Sequence, residues 1–312
     1  MLYGPLSAIC ATAQGPHFSA PEEMNIWYNP ALKTNKHPQA QLHFKTVSYP
    51  GILTYTNKAA SIDLPMISRE AITTDNIFFA NLSAGIQTES SADRFMNAST
   101  AMLAFSYALP LNDNNTYLAI GFQGNYSFNR FGDGGSEHFP EGFDKYGAFA
   151  SSMTNDPSQS GYSFGYFTAG AGAAVFHDSD QWQWYLGASI RHFNKPYTEW
   201  NRSERLAATT GIQGGYTMPV SSSSIISGYI NISWQQNSPE QLFGLRYIHS
   251  LEDTTINTLF AGIGYRAGDA LVPNLGLEWR GNRIAFYYEI NTSPYEANKG
   301  RRSWSVAYRL YL

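Results

Sequence analysis

This chain of 312 residues has a single cysteine, few charges and no long apolar run. The cysteine, Cys10, has no partner in the chain, so an internal disulfide is excluded. Charged residues make up 14%, against roughly 25% in an average soluble domain, and so low a share argues against a disordered chain held open by self-repulsion. No stretch approaches the roughly 18 consecutive apolar residues of a helical membrane span, so such spans are excluded. Mean hydropathy is −0.31 and the pI is near 6.0. With a net charge of −4 and no basic stripe, nucleic acid is excluded as a partner.

The chain is instead rich in aromatics, at 15% with 21 tyrosines, and in glycine, with 27. A transmembrane β-barrel reconciles a polar average with a membrane, because only every second residue of each strand meets lipid. From residue 39 onward the sequence breaks into alternating segments of roughly ten residues, as such a barrel requires. Leu82, Ala84 and Ile86 share one parity, as do Leu103, Phe105 and Tyr107, then Ile120, Phe122 and Tyr126, then Trp184, Leu186 and Ile190. Weaker segments fall near 204–218 and 223–235. The last, 303–312, sets Trp304, Val306, Tyr308, Leu310 and Leu312 on one face, and it resembles the C-terminal insertion signal of bacterial outer-membrane barrels, with Leu312 in place of the usual Phe. The expected fold is all-β: an antiparallel transmembrane barrel of about fourteen strands over 39–312.

Loop lengths and charge placement support this expectation. Short linkers (110–115, 177–180, 251–254, 281–282) alternate with long ones (129–160, 194–203, 292–300), as short periplasmic turns alternate with external loops, and 66–76 is the exception. Arg191, Arg246, Arg266, Glu278, Arg283, Glu289 and Arg309 all take the parity opposite the apolar residues. A lipid-facing charge costs on the order of 2–4 kcal/mol, so these seven are expected in the lumen, as an ion-pair network that fills it or as the lining of a pathway. A soluble β-sandwich would also segregate its faces, with the charges left in water.

Ahead of the barrel, residues 1–13 read as the remainder of a signal peptide, with Ala11-Thr12-Ala13 fitting the small-x-small cleavage pattern. Residues 14–38 carry Pro16, Pro21, Pro30 and Pro38, a density foreign to a sheet interior. This irregular segment is expected either in the lumen or across the periplasmic mouth.

Several patches resemble the PorP/SprF family of outer-membrane proteins, associated in Bacteroidetes with type IX secretion and gliding motility. They are Gly15-Pro16-His17-Phe18-Ser19, Tyr28-Asn29-Pro30-Ala31-Leu32, and Gly262 to Ala270, which includes Tyr265, Arg266 and Asp269. Gly15 stands where the family usually has Asp. The resemblance implies a non-enzymatic barrel without cofactor, embedded in outer-membrane lipid. Its implied partners are periplasmic components of the secretion system, or a secreted surface protein held through a C-terminal sorting domain.

No Ser/His/Asp or paired-carboxylate arrangement can be assembled from the sequence, and no metal site is expected. Asp133, Glu137, Glu141 and Asp144 follow no calcium-loop spacing. In the same long loop Phe131, Phe139, Phe143 and Tyr146 stand amid glycines, which suits a surface that binds cargo. A transport barrel for small solutes is the alternative function.

Overall fold

The computed structural model describes residues 18–32, 37–50, 53–67, 79–92, 96–112, 115–131, 162–179, 182–198, 205–236, 238–251, 256–293 and 300–312. Its strands are β1 (Gln39–Tyr49), β2 (Leu53–Ile67), β3 (Phe79–Ser91), β4 (Met96–Asn112), β5 (Thr116–Phe131), β6 (Tyr162–Asp178) and β7 (Gln183–Arg191). They continue as β8 (Thr209–Ser221), β9 (Ser224–Gln235), β10 (Ser238–Ser250), β11 (Thr258–Arg266), β12 (Ala270–Trp279), β13 (Asn282–Asn291) and β14 (Arg302–Tyr311). Each strand pairs with its neighbours in sequence, and β14 pairs with β1, closing a fourteen-strand barrel without an edge.

Alternation dictates which face is which. Leu42, Ile86, Leu103, Phe122, Leu186, Ile263 and Leu275 are exposed on the outside, while the polar neighbours Gln41, Gln87, Gln123 and Asn274 are buried within. On the closing strand Trp304 lies outward between Phe44 and Phe286, with ring centroids 5.3 and 6.3 Å away. Leu312 follows the strand and donates its N–H to the Pro38 carbonyl at 2.9 Å. Hairpin chemistry agrees with the pairing: Arg280 (φ 43°) and Gly281 (φ 77°) are both left-handed, the conformation of the two-residue turn that matches strand twist between β12 and β13. The weak segment near 204–218 becomes strand only at Thr209, and Arg205 ahead of it forms an isolated bridge with Tyr197.

The wall is uneven. Strands β4, β5 and β6 have 17, 16 and 17 residues, whereas β11 has 9 and β12, β13 and β14 have 10 each.

The interior is packed around residues 18–32, which form two short 3-10 turns, Pro21–Glu23 and Asn25–Trp27. Each of the three buried apolar clusters includes residues of this segment. Phe18, Met24, Ile26, Trp27 and Tyr28 pack on Ala59 and Met102. Ala31 and Leu32 meet Tyr117 and Phe176, and Ala20 sits among Phe260, Val272 and Tyr287. Burying each large side chain contributes roughly 1.5–3 kcal/mol. The segment supplies much of the apolar core that polar inward strand faces cannot make for themselves.

Candidate functional site

The site is this occupied lumen. Asn29-Pro30-Ala31 is seated where three wall residues lack side chains. A Cβ on Gly121 would come within 2.6 Å of the Pro30 carbonyl carbon, one on Gly187 within 2.8 Å of Asn29 Nδ2, and one on Gly172 would strike Asn29 Oδ1. Asn29 Nδ2 donates to the Ala188 carbonyl at 3.2 Å and to Gln213 Oε1 at 3.0 Å, and its Oδ1 accepts from the Ala31 N–H at 2.9 Å. Each backbone–backbone hydrogen bond described for residues 18–32 closes within the segment. Its polar ties to the wall run through side chains.

Glu23 is the centre of the first charge cluster. Its Oε2 meets Arg309 Nη2 at 2.6 Å, and its Oε1 meets Arg283 Nη2 at 3.3 Å and Arg246 Nη1 at 3.4 Å. Arg246 also reaches Glu22 at 2.7 Å and donates to the Tyr287 hydroxyl at 3.0 Å. The guanidiniums of Arg246 and Arg283 stack on the Phe260 ring at 4.6 and 4.5 Å, which orients both toward the segment.

A second cluster ties the segment's start to the wall. Glu289 Oε1 accepts from Lys45 Nζ at 2.7 Å, Ser19 Oγ at 2.8 Å and Arg266 Nη2 at 3.2 Å. Arg266 continues to Asp269 at 3.0 Å, which Arg301 meets at 2.6 Å in the turn after β11. Partial burial works to raise the Asp269 carboxyl, but bonds from Arg301 and Arg266 outweigh it and hold it below the ordinary carboxylate range. A depressed carboxylate stabilises the fold above its unfolded pKa, near 3.8, and that contribution is lost as pH falls through the lower folded value. The melting-temperature gap between wild type and Asp269→Asn in detergent should therefore stay constant from pH 7 to 5 and close below about pH 4.

Of the seven strand charges expected in the lumen, five join these two clusters: Arg246, Arg266, Arg283, Glu289 and Arg309. Arg191 is buried against the Tyr28 ring at 5.5 Å. Glu278 lies opposite Arg283 in the β12–β13 register, while the Arg283 guanidinium turns to Glu23. The seven strand charges do not make up the network alone: Glu22, Glu23, Lys45, Glu240, Asp269 and Arg301 also take part in the clusters, and sequence reasoning named none of these six as a charge partner. One signal was available: Glu22-Glu23 is a pair of adjacent carboxylates in the segment expected in the lumen or across the periplasmic mouth.

Among the family-patch residues, Phe18, Ser19, Asn29 and Ala31 are buried in the lumen, Pro30 packs over Gly121, and Tyr265 faces outward. His17 lies outside the described residues, as do Phe139, Phe143 and Tyr146 of the aromatic loop, whereas Phe131 ends β5. A cavity of about 500 Å³ remains beside the first cluster, lined by Glu22, Glu23, Arg246, Tyr185, Tyr229 and His177 at the end of the barrel that carries the β1 start and the β14 end.

An edgeless barrel with an apolar exterior and a polar, charge-paired interior is the architecture of an outer-membrane β-barrel protein. The pattern of the type IX secretion system membrane protein PorP/SprF matches residues 27–308. The chain belongs to the PorP/SprF family. No curated protein matches it. Among solved structures, the TodX monoaromatic hydrocarbon channel, in its ΔS2S3 mutant form, aligns at a TM-score of 0.52 with 9% identity, over 91% of this chain and 93% of that one. The CymD monoaromatic hydrocarbon channel aligns at 0.50 with 9% identity, over 96% and 94%. At this identity the likeness shows the fold alone.

Proposed function

We propose that this chain is a closed, non-enzymatic barrel of the type IX secretion system in the outer membrane, exported with the help of a signal peptide in residues 1–13. It anchors, or helps to translocate, a secreted surface protein through that protein's C-terminal sorting domain. The observation that carries this reading is the lumen occupied by residues 18–32 and closed around Glu23 by three arginines. A barrel so filled suits holding a partner on a rigid wall better than passing solute, and long loops at the end opposite the barrel termini offer the contact surface.

The test is purification of the tagged protein from its host in mild detergent, with the co-purifying chains identified by mass spectrometry. Recovery of a large surface protein bound through its C-terminal domain is the expected result. Recovery of periplasmic components alone would make the chain a part of the core apparatus, and recovery of neither would sink the reading. The cavity of about 500 Å³ favours small-solute transport as the second reading. Steady open-pore current from the wild-type protein in planar bilayers would establish that second reading.

The loop bearing Phe139 and Phe143 is the proposed cargo contact. Deleting 132–145 is expected to release the surface protein into the medium, with at least a tenfold drop in the cell-bound fraction, while the barrel still assembles. Unchanged retention would remove the loop from the binding surface.

A further inference from the structure

The described strands carry six carboxylates, Asp63, Glu89, Asp178, Glu240, Glu278 and Glu289, and each has lumen-facing parity. Of their nine lysines and arginines six face inward, and three face outward: Lys58 shares parity with Ile62 and Leu64, Arg130 with Phe122 and Phe128, and Arg302 with Trp304. All three lie toward the end opposite the barrel termini.

The register joins them into one patch. Thr46, Thr56, Ser90, Asn97 and Arg130 form an unbroken row across β1 to β5. Arg302 pairs with Ser48, and Ser48 with Thr54, on the row beyond, while Lys58, Thr88 and Ser99 form the row below. The hydroxyls are held in place by cross-strand hydrogen bonds, Ser48 to Thr54 at 3.0 Å and Thr56 to Ser90 at 2.9 Å. Five strand spacings separate Arg302 from Arg130, about 24 Å along the wall, the width of several lipid headgroups. Directly beneath lie the apolar residues Leu42, Ile62, Ile86 and Leu103. The patch therefore sits at the rim of the lipid-facing band, where a cation meets headgroups and escapes the cost of hydrocarbon.

We propose that this patch binds the phosphate-bearing glycolipid headgroups of the outer leaflet. Guanidinium and ammonium groups form charge-assisted hydrogen bonds with phosphate, and ordered hydroxyl and amide side chains offer donors and acceptors to sugar. Among the described strand residues no outward carboxylate opposes an anion. The inference rests on the outer-membrane reading, with the terminus-bearing end facing the periplasm.

The experiment compares wild type with K58Q/R130Q/R302Q, both purified in neutral detergent and titrated with bisphosphorylated lipid A, the bound lipid counted by native mass spectrometry. Wild type should bind at least tenfold more tightly than the triple variant, and at least tenfold more tightly than it binds the same lipid stripped of its phosphates. K58Q and R302Q alone should each lose two- to threefold, which keeps the test available if the triple variant fails to fold. Equal binding by wild type and variants overturns the proposal, as does equal affinity for the dephosphorylated lipid. Full displacement by millimolar inorganic phosphate would make a free anion the ligand and overturn the lipid assignment. Orientation is read separately, by labelling Lys58→Cys in a Cys10→Ser background with an impermeant maleimide on intact cells. Labelling only after permeabilisation overturns the outer-leaflet placement through its premise, an outcome distinct from a failure of lipid binding in detergent.

Discussion

Glutamine in place of Glu23 is expected to turn a silent barrel into one that passes current. The substitution keeps the shape of the side chain and removes the one carboxylate that Arg246, Arg283 and Arg309 share. Three guanidiniums then face one another with Glu22 alone nearby, touching only Arg246 at 2.7 Å. Breaking a buried ion pair by neutralising one partner costs about 3–5 kcal/mol, and here the loss falls on a segment tied to the wall through side chains. Residues 18–32 should leave their seat for a measurable fraction of the time, giving flickering conductance in planar bilayers and new protease cleavage within the segment. Glu22→Gln removes a single contact and should have a several-fold smaller effect on both readouts. If E23Q stays silent and resists protease as wild type does, the three-arginine clamp does not hold the segment in place.

Valine at Gly121 should have a comparable effect by a steric route. The added Cβ meets backbone atoms of Pro30 and Ala31 at 2.6–2.8 Å, and backbone fixed by a proline ring cannot swing aside as a side-chain tip can. Asn29 is carried away with it, giving up its bonds to the Ala188 carbonyl and Gln213. Overpacking of this kind costs about 1–3 kcal/mol, and the expected result is a lower unfolding midpoint in urea together with cleavage in residues 18–32. Gly124→Val on the same strand is the control. Its Cβ points outward and meets only ring atoms of Phe167 at 3.1 Å, which lipid-side freedom lets shift. Equal destabilisation by the two substitutions would show that strand propensity, rather than the seat of Pro30, governs position 121.

These two substitutions bear on the role of the family patch. Asn29-Pro30-Ala31 and Phe18-Ser19 are not exposed recognition motifs, since all five fit the wall from inside: Asn29 at Gly172 and Gly187, Pro30 and Ala31 at Gly121, Ser19 at Glu289, and Phe18 edge-on to His43 at 4.9 Å. They are positioning residues for the closed lumen. Partner contact, under the proposed function, falls to the end of the barrel bearing the long loops.

The sequence by itself determined the barrel. Strand parity is a local property: a one-residue slip would turn Leu103 inward and Met102 outward, and hydrocarbon rejects the charges such slips expose, so alternation reports both faces without knowledge of any contact. The terminal strand with Trp304 and Tyr308 and the inward parity of five arginines were legible for the same reason, and so was a tight turn at Gly281, although it is expected at Gly281-Asn282 and is centred one residue earlier, on Arg280-Gly281. Only the tertiary structure decided what fills the lumen. Residues 18–32 have no periodicity to read, and their placement depends on surfaces contributed by strands far apart in sequence, such as Gly121, Gly187 and Gln213 around Asn29, or Arg246, Arg283 and Arg309 around Glu23. Closing β14 onto β1 brings those residues into one enclosure, and the low-dielectric interior that results makes an unpartnered guanidinium so costly that the nearest free carboxylates, Glu22 and Glu23, are drawn in.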